Sequence, residues 1–453
     1  MKYSTKVRRF CFNTNFSHPL LHSVWETVAR TRTTLNIFPN LQVLIWEPDE
    51  DEPNLFNLGI IFMHANIRKF SFSIPINVLT QWPYYFFEEI SSRMPHLTNI
   101  DIGTSIPIRA IETEMISLIS QLRKLQRITL PRHYLTTKFT EALSRLPNLV
   151  SILLARDFVG NPMDVRSFAP TLTDDAFPAL LNISMTTTFH GTARFLKHKF
   201  PFTNLTELSV ASAINENPSS IHSLISVVSE NCQFLTDISL VSYLGETSVP
   251  EGINQSLNHI TIEVLKPLLK LSKLVNVEIT HRHPLALSQK DIELIASSWP
   301  SLNSLHLNPH PVHHTQSNLT LKALVPFAKH CPKLEFLGLF VDASSENELF
   351  RQVDLVSFQD LRLLDISTSI IDKTAHVAVC LSGILPLNCG LSIFGNDNGP
   401  DVAIRKRQIA WTKVQDLLPT LRTARMHERE RTRYLLLEKV SKLNNRRRFC
   451  WQA

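Results

Sequence analysis

Histidine supplies the densest set of side chains that could do chemistry. His281 and His283 share one stretch, His310, His313 and His314 the next, with His306 just ahead of them. Neutral imidazoles ligate transition metals, but a site needs three or four converging ligands, each oriented by a partner on its other ring nitrogen. Pro284, Pro309 and Pro311 break both stretches, so spacing alone fixes no ligand geometry. Metal ligation, a pH-tuned contact surface and ordinary surface histidines are the three readings, and the last asks least of the chain.

Other chemistry is thinner. The sequence contains no G-x-S-x-G, H-E-x-x-H, Walker loop or kinase set, which are the anchors of nucleophilic, metalloprotease and phosphoryl-transfer readings. Only 11 glycines occur in 453 residues, against a Gly-rich phosphate cradle. The 6 cysteines include no C-x-x-C pair, so neither a zinc site nor a disulfide framework is expected. Cys232 and Cys331 each stand three residues before a recurring Leu, a position that burial explains. No enzymatic activity, cofactor or metal is expected.

What must position any functional side chain is a repeat. Cys331-Pro332-Lys333-Leu334-Glu335-Phe336-Leu337-Gly338-Leu339 states its rule: an apolar residue, often Pro, two polar positions, then Leu-x-x-Leu-x-Leu. Aligned on the first Leu, the chain gives anchors at Val7, Leu41, Ile67, Leu97, Leu125, Leu149, Leu180, Leu205, Leu235, Leu274, Leu302, Leu334, Leu361 and, poorly, Asn388. They stand 24 to 39 residues apart, mostly within or just above the roughly 20–29-residue period of leucine-rich repeats. At the first thirteen anchors the residues three and five further on are apolar, as in Phe10 and Phe12, Leu44 and Trp46, or Leu305 and Leu307. That alternation marks a half-buried strand. Between strands, residues 113–122 and 219–231 carry apolar residues at helical spacing, and Ser288 with Asp291 reads as a capped helix start. Strand and helix alternating through short loops wind right-handed and parallel. The predicted fold is therefore α/β, a leucine-rich-repeat solenoid (horseshoe) with parallel strands on the concave face and helices on the convex face. It spans residues 1–400 in about 13–14 irregular repeats, and residues 401–453 form a basic helical cap and tail.

If residues three and five past each anchor are buried, those two, four and six past it line the concave face. Arg9, Lys69 and Arg127 fall there early in the chain. Glu207, Ser209, Asp237, Ser239, Glu278 and Thr280 follow, then His306, Phe336, Phe340, Leu363 and Phe394. A surface of mixed sign suits a protein or peptide ligand, whereas a phosphate backbone would ask for one sign throughout. Phe336 and Phe340 are the expected anchor residues, unless the terminal helix covers them. The 39-residue step holds a loop over 242–256, punctuated by Gly245, Pro250 and Gly252. It is a candidate specificity insertion, with ordinary drift in loop length the alternative.

The net charge of +6 divides unevenly. Residues 401–453 carry 14 Lys/Arg against 5 Asp/Glu, leaving 32 against 35 for the rest, so the basicity belongs to the tail. Val414, Leu417, Leu418 and Leu421 mark an apolar helical face, with Pro419 expected to restart or kink the helix. No stretch approaches the roughly 18 apolar residues of a membrane span, and no signal-peptide core follows Met1. A soluble protein of cytoplasm or nucleus, without membrane contact, is expected.

Over residues 1–395 the chain resembles the leucine-rich-repeat superfamily. Units such as Asn231-Cys232-Gln233-Phe234-Leu235-Thr236-Asp237-Ile238-Ser239-Leu240 resemble the repeats of F-box substrate receptors. The layout is similar to fungal F-box/leucine-rich-repeat proteins, from the Arg-rich Lys6-Val7-Arg8-Arg9-Phe10 to the closing segment Trp411 to Pro419. In that family the F-box docks on an Skp-type adaptor of a cullin ubiquitin ligase and the concave surface selects the protein to be degraded. An F-box would need a helical Leu- and Pro-rich stretch ahead of the first repeat, where six residues precede Val7, so no adaptor-contacting residue carries over. The resemblance implies a substrate-recognition module. A stand-alone repeat scaffold or inhibitor is the runner-up, and a nucleic-acid-associated protein acting through its basic tail is the less favoured third reading.

Overall fold

The computed structural model describes residues 4–13, 22–31, 34–48, 53–76, 82–197, 202–242, 259–313, 316–344, 356–366, 368–393 and 402–450. The chain divides into two compact units, residues 1–251 and 252–453. Among the described residues the first holds β1 (Arg9–Asn13), β2 (Val43–Glu47), β3 (Lys69–Ser73), β4 (Asn99–Gly103), β5 (Arg127–Arg132), β6 (Ser151–Val159), β7 (Asn182–Met185), β8 (Glu207–Ser212) and β9 (Asp237–Ser242). The second holds β10 (Asn276–Thr280), β11 (Ser304–Leu307), β12 (Phe336–Leu339), β13 (Leu363–Asp365) and β14 (Gly390–Ser392). Within each unit consecutive strands pair in parallel, in chain order. This is an α/β solenoid of leucine-rich-repeat type.

Each strand begins two residues past its anchor, β14 after Asn388 included. A recurring backbone clasp explains the constancy. The carbonyl one residue past an anchor accepts two N–H groups from the next repeat, as Arg8 does from Gln42 (2.8 Å) and Val43 (3.0 Å), or Asn303 from Glu335 and Phe336. The clasp needs only backbone, so it fixes register wherever the anchor side chain is buried, and Leu41, Leu125, Leu205, Leu274 and Leu302 are all fully buried. At β14 it is reduced to one bond, from Gly390 to the Arg362 carbonyl at 2.8 Å.

Residues three and five past the anchors pack toward the helices. Phe70 and Phe72 of β3 meet Phe86 of the helix Trp82–Arg93 at ring-centroid distances of 6.3 and 5.5 Å. Trp46 is fully buried and donates its indole N–H to the carbonyls of Leu55 and Phe56, both at 3.1 Å. Helices over Glu112–Gln121 and Pro218–Asn231 occupy the stretches whose apolar spacing predicts them. Ser288 and Asp291 close a reciprocal capping box at the start of Gln289–Ser298, satisfying two orphan N–H groups.

The last helix, Val402–Cys450, runs through Pro419 without a break. Trp411, Val414 and Leu418 are buried, and the Trp411 indole donates to the Ser369 carbonyl at 3.0 Å. Leu417, expected on the same face, is 41% exposed; the buried stripe runs 411, 414, 418 and on to Arg422, which is 6% exposed. Among the described residues no helix is long and apolar enough to cross a membrane.

Candidate protein-interaction surface

The parallel register stacks equivalent residues into rows on the sheet face away from the helices. Two past each anchor, one row of the first unit reads Arg9, Val43, Lys69, Asn99, Arg127, Ser151, Asn182, Glu207, Asp237. Strands about 4.8 Å apart hold these side chains as direct neighbours. Arg9 and Arg127 are exposed, and Lys69, Glu207, Ser209, Asp237 and Ser239 are half-buried, so all seven reach the surface expected of them.

Charge along the rows is locally organised. Lys69 Nζ lies 2.7 Å from Asp101, which also accepts from Thr129 Oγ1 at 2.6 Å. Glu47 accepts from Ser71 Oγ at 2.7 Å and Asn13 Nδ2 at 3.0 Å. Asp101, Ser71, Thr129 and Glu47 obey the same offset rule as the residues picked from sequence and were recoverable from it. Further along, Glu207 and Asp237 face each other in register on β8 and β9, with Ser209 opposite Ser239. Burial first, then the Asp237 charge, pushes the Glu207 carboxyl above the usual carboxylate range, while Arg127 pulls the other way. The arrangement is a half-desolvated acidic pair with a guanidinium to one side, able to receive a cationic or hydrogen-bond-donating group.

In the second unit Glu278 is exposed and pairs in register with His306, which pairs with Gly338. A Cβ on Gly338 would come within 2.8 Å of His306 Nδ1, so the glycine admits the imidazole over the strand. Thr280 and Phe336 are half-buried. Phe340 corrects the expectation: it is 4% exposed and no surface anchor. Strand β12 ends at Leu339, so two-residue alternation no longer governs Phe340. Its backbone carbonyl accepts from Ser317 Oγ at 2.8 Å, and Val341 beside it is also buried. Leu363 is half-buried, whereas Phe394, His314 and residues 243–256 of the long loop lie outside the described residues.

The remaining histidines separate. His310 Nε2 meets Asp365 Oδ2 at 2.7 Å. His283 and His313 stack at a centroid distance of 4.5 Å, with His281 and His259 beside His283 at 5.7 and 6.2 Å. Asn308 clamps the loop, receiving the His281 N–H and donating to the His283 carbonyl at 2.7 Å. Burial and its imidazole neighbours, with Arg282, hold the His283 pKa down at about 4. Among the described residues no group of three His, Cys, Asp or Glu is arranged to hold a metal. Cys232 and Cys331 are buried, and burial pushes both thiols up to about 12.

No family model matches the chain, and no curated protein matches its sequence. Among solved structures it is similar to a chain from the yeast Rad7 and Elc1 complex, at 15% identity over 78% of this chain and 84% of that one, with a TM-score of 0.37. A Bacteroides fragilis protein is similar at 11% identity over 66% of each chain, with a TM-score of 0.32.

Proposed function

We propose that the chain is a non-enzymatic protein-recognition module that binds a target protein on the strand face turned away from its helices. The observation that carries this reading is the in-register pairing of Glu207 with Asp237, in the same row of side chains as Arg127. Half-buried charges of both signs in fixed rows favour a partner with its own mixed charge pattern over a uniform polyanion. The resemblance of the repeats to F-box substrate receptors supports the finer reading, recruitment of that target to an Skp-type adaptor and cullin for ubiquitylation.

A photo-crosslinking residue placed at Ser239 in cells tests the surface. The expected result is a discrete protein adduct that disappears in Glu207→Lys/Asp237→Lys, while a probe at Lys290 on a helix gives none. Adducts unchanged by the charge reversal would sink the proposal. Affinity purification tests the finer reading: adaptor and cullin should co-purify, and their absence alongside a retained Ser239 adduct leaves a stand-alone scaffold.

A further inference from the structure

The stripe that seats the last helix on the second unit changes chemistry partway along. Trp411, Val414 and Leu418 are buried apolar residues, and the next positions at the same three- and four-residue spacing are Arg422, Arg425, Arg429 and Arg433. All four arginines line a cavity of about 270 Å³, with Phe358, Leu385, Pro386, Leu387 and Met426 as apolar wall and Glu430 the only carboxylate among the described lining residues. Arg422 donates through Nη1 to the carbonyls of Leu387 (3.0 Å) and Cys389 (2.8 Å). Its Nε and Nη2 are buried without a hydrogen-bond partner. Arg425 is held by Ser382 Oγ at 2.7 Å and the Val379 carbonyl at 3.0 Å. None of the four has an ion pair with a described residue.

A buried guanidinium left without a counter-charge is costly, and a carboxylate arriving nearby would offset that charge, while the exposed Arg429 and Arg433 can donate paired, charge-assisted hydrogen bonds to it. We infer that this groove is a second binding site, which takes an acidic peptide segment carrying apolar side chains beside its carboxylates. From Arg422 to Arg433 the helix rises about 16 Å, a length that about five extended residues span. The apolar wall gives such a segment's Leu or Phe a place to bury, whereas a phosphate backbone has nothing to set against it.

The full chain should bind a short fluorescein-labelled peptide of Asp, Glu and Leu, read by anisotropy, and bind its Asn/Gln counterpart far less. Arg429→Gln/Arg433→Gln, both exposed and so leaving the fold intact, should weaken binding by roughly tenfold or more. Arg425→Gln should weaken it as well, and Glu207→Lys/Asp237→Lys should leave it unchanged, which separates this site from the strand face. Equal affinity for the amide peptide, indifference to the arginine variants, or tighter arginine-dependent binding of an RNA of matched charge would overturn the inference.

Discussion

Glu207 and Asp237 hold like charges directly opposite each other on neighbouring strands, a placement that costs stability unless a partner offsets it. The Glu207 carboxyl titrates above its unfolded value, so the folded state carries a penalty that is absent at acid pH, sets in as pH rises through the unfolded pKa and is complete above the folded one. Glu207→Gln should therefore stabilise the first unit at neutral pH by about 0.2–1 kcal/mol, with the gain vanishing in acid, as urea titrations at several pH values would reveal. His283 behaves oppositely. Its folded pKa of about 4 lies below the unfolded 6.5, so its neutral form favours folding above pH 6.5 and that contribution falls away as pH drops toward 4. The stability difference between the native protein and His283→Phe should change across that window and be flat below it. A pH-independent difference would show that His283 does not titrate as its burial implies.

At the level of elements, Trp411 is one of the residues that fasten the C-terminal helix. Trp411 is fully buried and bonded to the Ser369 carbonyl, and Trp411→Ala should cost about 3–5 kcal/mol. Denaturant unfolding followed by hydrogen exchange in residues 374–384 and 402–420 would register that loss. Strands were legible in the sequence because a short half-buried strand admits little but alternation, and the backbone clasp then places each start. Features set by packing between segments were not legible. Phe340 looks outward-facing only if β12 continues, and where a strand ends depends on the segment that packs over it. Arg422 sits in a run dense in Arg and Glu that reads as solvated, and its burial shows only once the stripe of Trp411, Val414 and Leu418 is traced through space.

Across the whole molecule each repeat depends on its neighbours rather than on a shared centre. Leu44→Ala in β2 should cost about 2–5 kcal/mol, with faster amide exchange in β1 to β4 and unchanged exchange in β12 to β14; acceleration along the entire chain would mean one cooperative unit. The constant strand register has a further consequence for what the described strands of the first unit can read. Rows recur about every 4.8 Å across the sheet, whereas an extended peptide repeats a given side about every 6.8 Å. The two step lengths differ by about 2 Å at the next strand and realign only near every third, like scales with unequal divisions. A linear peptide laid across the strands would match only about every third row, so a partner that engages Arg9, Lys69, Arg127, Glu207 and Asp237 together must present a folded surface.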